Sequence, residues 1–554
     1  MHPLLTTPEL VIEIASYLES RDCYRFGASC RSLWNITVSV LWRTLYSETA
    51  FRCFSVQPQY DLGSPEWNDV LRRIGPYLPL IRRLMLPYVD RGTLGLLQIL
   101  QHAQTGQPDE LKIRVKALSM AFRSGNISAE VFNRVVDLVV SLQLKELVIR
   151  LPGPNTTRAE EPYHQNLVTL LRGFRWSGAD ELAHFSLSTW SNIRVRPLPE
   201  VRATQAEIVG LVYRLPQHSL RILDLHIPLD VRRLMPVLAS FPRLEDLCLE
   251  PFTPVDEREV APILGDIDAY PDRPFPSLQR LSLGTTGDVN GPLLCKTAIP
   301  KISSDKLAWL TLCTRDADDF SWASSLLKLH GRNLLGLELA LSHGYGGLAY
   351  IRSEMDMCPN LQHFRLHLVG EDLNILQEEE LEQAAYTWPD LRTLDIRRHA
   401  RYPGRPILPR PLECHVLTSL SVGLKHLQSL RLPVVFTNED DLRLHLETLE
   451  YESRHGRRRT WQPCALQEFD ITECFLDFDG GDPVGAPASK VASTLRIAFP
   501  NIRTIRCDPH TANTYYVKPI QEALDSNPVA ATQVPESIAL VRRYFTNPRP
   551  SRVL

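Results

Sequence analysis

Beyond residue 75 the chain keeps returning to one pattern of apolar and polar positions: apolar, two residues, apolar, one residue, apolar. It reads Ile81-Arg-Arg-Leu84-Met-Leu86, Leu144-Lys-Glu-Leu147-Val-Ile149 and Leu220-Arg-Ile-Leu223-Asp-Leu225. Further copies are Leu244–Leu249, Leu278–Leu283, Leu307–Leu312, Leu334–Leu339, Leu361–Leu366, Leu391–Ile396, Leu427–Leu432, Leu466–Ile471 and Ile502–Cys507. Weaker ones stand at Val115–Met120, Leu182–Leu187 and Leu446–Tyr451. In Leu278-Gln-Arg-Leu281-Ser-Leu283 the last two leucines alternate with Ser282, which places both on one face of a short strand and turns Arg280 and Ser282 outward. Stretches such as Ser128–Leu142 and Thr204–Leu215 carry helical periodicity between phrases, and Thr204-Gln-Ala-Glu207 reads as a capping box opening the second.

Prolines fall in register with the phrase. Phe241-Pro242, Phe275-Pro276, Cys358-Pro359, Trp388-Pro389 and Phe499-Pro500 all precede it by the same offset. Proline disfavours helix at the residue before it, so each pair ends a helix just ahead of a strand, with the preceding side chain placed to pack beneath the turn. Most successive phrases begin 24 to 38 residues apart, the signature of a leucine-rich-repeat solenoid with lengthened units. The expected fold is therefore α/β: a curved parallel sheet with helices outside it. Apart from Cys474 behind Leu466–Ile471, no Asn or Cys follows the main copies at the usual three-residue offset, so the common side-chain ladder beneath the turns is expected to be largely absent and the repeats less uniform.

The first forty-six residues follow a different rule. Thr7 is placed to cap a helix with Pro8 at its first position. At 100° per residue Leu10, Ile14, Tyr17 and Leu18 form one apolar stripe, widened by Val11, Ala15, Pro8 and Ile12 and leaving only Glu9, Glu13 and Ser16 as a polar face. Leu33, Trp34, Val38, Leu41, Trp42 and Leu45 add more apolar surface than a module of this size usually hides. The excess points to a second protein, or to a cap that closes the repeat domain.

Pro8-Glu9, Ile14, Leu18, Asp22, Cys30-Arg31, Trp34 and Leu41-Trp42 together resemble an F-box, the three-helix module that joins a protein to a Skp-type adaptor on a cullin ubiquitin ligase. Thr7 stands where that family usually has Leu. The repeats behind it look like the irregular leucine-rich repeats that follow fungal-type F-boxes. The resemblance implies an F-box over residues 1–50, a linker over 51–75, a solenoid over 76–525 and a tail over 526–554. It implies docking of the Skp-type adaptor and cullin complex through Pro8, Ile12, Ile14, Leu18, Leu41 and Trp42, with a target protein held by the repeats. The corresponding function is that of a substrate-recognition subunit of an SCF-type ligase. The alternative is a protein-binding scaffold acting outside any ligase.

Composition narrows the rest. With 44% hydrophobic and 23% charged residues and a net charge of −3, the chain reads as a folded, soluble protein with no general attraction to nucleic acid or membrane. Glu9 and Glu13 break the N-terminal apolar run, so no secretory signal is visible, and no stretch has the length of a membrane span. Eleven scattered cysteines then read as reduced thiols of an intracellular protein, cytoplasmic, nuclear or both.

No phosphate loop, dinucleotide fingerprint, GxSxG or HExxH occurs, and no CxxC pair that could build a cross-braced zinc domain. No enzyme activity, cofactor or metal is expected. His363 and His367, four apart in a strand phrase, read as surface histidines. Asp477-Phe-Asp479-Gly-Gly-Asp482 lacks the later acidic ligands of a calcium loop. Arg454-His-Gly-Arg457-Arg458-Arg459 reads as a solvated basic loop. Pro152–Pro162, Thr253–Pro276, His399–His415, Ser453–Pro463 and Asp477–Ala488 read as surface insertions.

Overall fold

The computed structural model describes residues 7–46, 75–89, 115–122, 135, 143–151, 171–172, 181–189, 199–229, 231–251, 273–283, 302, 304–314, 326–342, 356–369, 378–399, 412–414, 416–436, 464–472, 474, 476, 486–508 and 514–526. The weak phrase Leu446–Tyr451, the helix expected over Ser128–Leu142 save position 135, the linker save Gly75, the tail beyond Ser526, the basic loop and the acidic loop lie outside these residues. The chain forms two compact units: Met1–Leu278 with Ile302–Ser304, and Gln279–Lys301 with Asp305–Leu554.

In the first unit, α1 (Pro8–Tyr17), α2 (Ser20–Ala28) and α3 (Arg31–Leu41) precede seven parallel strands. These are β1 (Thr44–Tyr46), β2 (Arg83–Val89), β3 (Ala117–Phe122), β4 (Glu146–Leu151), β5 (His184–Thr189), β6 (Ile222–Leu229) and β7 (Asp246–Pro251), each paired with the next in sequence. Helices α4 (Pro199–Arg214) and α5 (Val231–Ala239) lie between strands and pack together. In the second unit β8 (Arg280–Leu283), β9 (Trp309–Thr314), β10 (Gly336–Ser342), β11 (His363–Val369), β12 (Thr393–His399), β13 (Ser429–Arg431), β14 (Glu468–Asp470) and β15 (Thr504–Arg506) pair in the same way. Its helices are α6 (Glu378–Thr387), α7 (Val416–Gly423), α8 (Ala486–Ala498) and α9 (Thr514–Ser526). This is a leucine-rich-repeat solenoid: sequence-consecutive parallel strands with helical returns.

Every main phrase and the two weaker ones among the described residues supply a strand, which begins at the third residue of the phrase. The apolar positions point inward and stack in columns: Leu84, Leu118, Leu147, Phe185, Leu223 and Leu247 in the first unit are at most 1% exposed. Parallel pairing leaves the intervening residues on the other face, in matching rows.

The proline turns do two jobs. Phe241, Phe275, Cys358, Trp388 and Phe499 are all fully buried, and the carbonyl of each accepts the N–H three residues on, at 3.1 to 3.5 Å. Leu78-Pro79 is a further copy, with Ile81 donating to Leu78 at 3.2 Å. Proline suits the second position of such a turn because its φ is already set.

An inter-repeat ladder exists, mainly at the opposite end of the strand from the usual one, where Cys474 reaches back to the Leu432 carbonyl at 3.4 Å. The residue just before the phrase reaches back to a carbonyl of the preceding repeat: Ser219 to Leu182 at 2.8 Å and Ser277 to Pro242 at 2.8 Å in the first unit. Asn333 to Asp305 at 3.1 Å, Asn360 to Arg332 at 2.7 Å and Asn501 to Cys464 at 2.8 Å do the same in the second.

Two expectations are corrected. Thr204 does not open a helix, because α4 already starts at Pro199, where a missing N–H costs nothing. His367 is not a surface residue: it is 5% exposed, its ring 3.2 Å from Glu338 on the neighbouring strand. Cys23, Cys30, Cys248, Cys358, Cys414, Cys464, Cys474 and Cys507 are in no disulfide, and burial pushes the thiols of Cys358 and Cys464 up to about 12.

Candidate protein-docking site

Helix α1 starts at Pro8 with Thr7 in extended backbone, but the Thr7 side chain makes no capping bond; its carbonyl accepts from Val11 at 3.2 Å. At α3 Cys30 takes the cap position, and its sulfur accepts from the Leu33 N–H at 3.5 Å. Helices α2 and α3 meet closely at Gly27, where an added Cβ would lie 2.1 Å from Thr37 Oγ1 and 3.3 Å from the Trp34 ring. Thr37 is fully buried and returns its hydroxyl to the Leu33 carbonyl at 2.9 Å. Gly27→Ala is expected to cost roughly 1–3 kcal/mol of local stability. Limited proteolysis should then cut within residues 7–46 faster, while cleavage among the repeats stays unchanged.

Helix α1 places its smallest apolar side chains inside and its largest outside. Val11 and Ala15 are 0% and 1% exposed, whereas Leu10, Ile14 and Tyr17 are 37%, 42% and 83% exposed. At 100° per residue those three lie within about 60° of one another, an open stripe along the helix. Ile12, on another side, is 39% exposed. Of the remaining residues expected at the docking face, Pro8 is exposed and Leu18 and Leu41 are half-buried. Trp42 is half-buried, one face stacked on Tyr77 at 4.6 Å and 7°.

The stack is part of a junction that the sequence pattern shows only faintly. Arg43 accepts the N–H groups of Arg82 and Arg83 at 3.0 and 2.9 Å, and Leu45 on β1 is buried. Trp42-Arg-Thr-Leu45-Tyr-Ser is a truncated strand phrase, lacking its third apolar residue. The helical module thus runs straight into the first strand of the sheet.

The polar face of the sheet is the second candidate surface. In the second unit, register places Glu338, Arg365, Asp395, Arg431, Asp470 and Arg506 in one row across six strands, with charge alternating at each step. Asp395 sits at its centre, with its side chain 9% exposed, and accepts from Arg397 at 2.6 Å; Arg365 and Arg431 stand at 3.9 Å. Hydrogen bonding with His367 holds Glu338 below the usual carboxylate range. Beside the row, Trp309 lies over Gly336, whose Cβ would fall 2.2 Å from the indole, with Arg280 above the ring at 5.3 Å. His363 packs near the same indole at 5.5 Å and pairs with Thr393 Oγ1 at 3.1 Å.

In the first unit His184 Nε2 is 3.2 Å from Asp224 and Nδ1 4.0 Å from Glu146. The Asp224 hydrogen bond raises its pKa. A raised histidine pKa stabilises the fold fully below the unfolded value of about 6.5, and that contribution is lost as pH climbs through the higher folded value. Asp224→Asn should therefore lower the melting temperature most at pH 5.5, with the gap to wild type closing toward pH 8.5. An equal gap at both values would remove this pair as the cause.

Among the described residues no group of three or more His, Cys, Asp or Glu side chains could hold a metal, and no helix is long and apolar enough to cross a membrane. What the arrangement offers is surface: an open apolar helix stripe and a charged, aromatic-bearing sheet face.

The sequence matches no family model and no curated protein. Solved structures to which the chain is similar include the yeast Rad7–Elc1 complex, at 12% identity over 85% of this chain and 88% of that one, with a TM-score of 0.37. Another is the leucine-rich-repeat-containing protein LegL7 from Legionella pneumophila, at 13% identity over 76% of this chain and 94% of that one, with a TM-score of 0.27.

Proposed function

We propose that this chain is the substrate-recognition subunit of an SCF-type cullin ubiquitin ligase, with residues 7–46 as an F-box. The observation that carries the reading is the inversion on α1, where Val11 and Ala15 are inside while Leu10, Ile14 and Tyr17 face solvent. Exposed apolar side chains in a contiguous stripe mark a protein contact. The residues that resemble an F-box lie in the same helices, so the stripe is read as the seat of a Skp-type adaptor. The repeats would hold a target protein near the delivered ubiquitin. The chain would supply proximity, which raises the effective concentration of target lysines, and no bond-making chemistry of its own. This role places it inside the cell, in cytoplasm, nucleus or both.

A second reading has its own support. The Trp42–Tyr77 stack and the pairing of β1 with β2 make the helical module continuous with the sheet, as an N-terminal cap would be. A capped scaffold would work outside a ligase. Co-expression of the full chain with a Skp-type adaptor separates the two: a stoichiometric complex on gel filtration supports the F-box reading, and separate elution leaves the cap.

A further inference from the structure

At one edge of the first unit the repeat itself builds a column of positive charge. Arg43, Arg82, Lys116 and Lys145 each occupy the position immediately before a strand, β1 to β4. They are in strict register. The Arg43 carbonyl accepts from Arg82 and Arg83, that of Arg82 from Lys116 and Ala117 at 2.7 and 3.0 Å, and that of Lys116 from Lys145 and Glu146 at 2.7 and 3.0 Å. Strand spacing then sets successive cations about 4.8 Å apart. All four, with Arg83, line one open cleft of about 660 Å³ between α3 and the strand starts.

Like charges at that spacing repel unless something neutralises them. The cleft itself supplies one carboxylate, Glu146, and Arg83 holds it at 3.3 Å. Arg82 is turned to the Pro79 carbonyl, and Lys145 has Glu181 at 3.6 Å. Among the described residues neither Arg43 nor Lys116 has a carboxylate within ion-pair distance. The cleft is therefore cationic in a protein whose net charge is −3, a local arrangement that overall composition does not explain.

We infer that this cleft binds an acidic segment of a partner protein. Ile12, Val40, Leu80 and Ala117 add aliphatic surface to its lining, so it suits a segment that interleaves carboxylates with apolar side chains. Four rungs span about 14 Å, the reach of four to five extended residues. A nucleic-acid strand is the poorer occupant, because no aromatic side chain lines the cleft for base stacking. The cleft shares Ile12 with α1 but does not rest on the ligase reading: its cations lie apart from the Leu10, Ile14 and Tyr17 stripe.

The probe is a dye-labelled ten-residue peptide of alternating glutamate and leucine, titrated with the full chain by fluorescence anisotropy. Wild type should bind it, with affinity falling as salt rises. The triple variant Arg43→Gln, Lys116→Gln, Lys145→Gln should weaken binding about tenfold or more. Arg82 is left in place because it holds the Pro79 carbonyl. Glu146→Gln should tighten binding about two- to threefold, a gain that loss of folding cannot produce and that stays readable if the triple variant is unstable. No binding by wild type, or both variants matching it, overturns the assignment. So does a ten-nucleotide single strand that binds more tightly than the peptide and is released by the same substitutions. Adaptor capture by the triple variant is scored separately, so failure here and failure of the F-box reading are distinguishable.

Discussion

Replacing Ile14 and Tyr17 together by aspartate is expected to abolish capture of a Skp-type adaptor, at least a hundredfold in Kd, while leaving the fold intact. Both side chains are exposed, at 42% and 83%, so two charges there cost little in the isolated protein. In a docked interface the same charges would be desolvated without partners, and leaving an apolar anchor pocket unfilled adds to the loss. Each effect is of the order of 2 kcal/mol or more, and about 2.7 kcal/mol in total gives the hundredfold. The control is Trp42→Ala. Because Trp42 stacks on Tyr77, its loss should lower the melting temperature of the first unit as well as adaptor affinity. The aspartate pair should lower affinity alone. If it binds as wild type does, α1 is not the docking helix, and the capped-scaffold reading takes its place.

Much of this protein is legible in the bare pattern of its chain, because a repeat states the same constraint many times. Twelve phrases with the same offsets place twelve strands, and the proline turns at Phe241, Trp388 and Phe499 mark where α5, α6 and α8 stop. Leucine alternation also gives the inward column, since a strand offers only two faces. For α1 the pattern gives the stripe and not its orientation. Periodicity identifies an apolar helix but not which side meets the protein, and the wide stripe could turn either way. Packing against α3 chose Val11 and Ala15, whose small size allows close approach, and left the larger residues outside.

Three features were beyond sequence reading for a different reason. The ladder Ser219, Ser277, Asn333, Asn360, Asn501 sits at one constant offset, yet other repeats have Arg, Lys or Asp there, so single repeats carry no signal. The basic column is likewise spread over about a hundred residues of chain, and only strand register brings Arg43, Arg82, Lys116 and Lys145 together. The same holds for the charge row of the second unit, where Glu338 and Arg506 belong to one line across six strands. His363 and His367 were spaced correctly for one face of a strand, but burial of His367 depends on Glu338 in the neighbouring repeat.

That charge row carries the second large expected effect. Asp395→Ala should destabilise the protein by about 2–4 kcal/mol, read as a lower denaturant midpoint. The carboxylate is nearly buried and is the common partner of Arg397, at 2.6 Å, and of Arg365 and Arg431, at 3.9 Å. Removing it leaves three guanidinium groups facing one another across adjacent strands, with Arg431 only 15% exposed. The figure is set below that of a fully buried pair because Arg365 and Arg397 reach solvent, at 41% and 34%. A rescue separates electrostatics from lost packing. Adding Arg397→Leu to Asp395→Ala removes the cation most dependent on the lost carboxylate and should restore about half of the stability. A cavity effect would instead deepen with the second truncation. If the double variant is less stable than the single one, the row is held by shape and not by charge, and its alternation across six strands would need another cause.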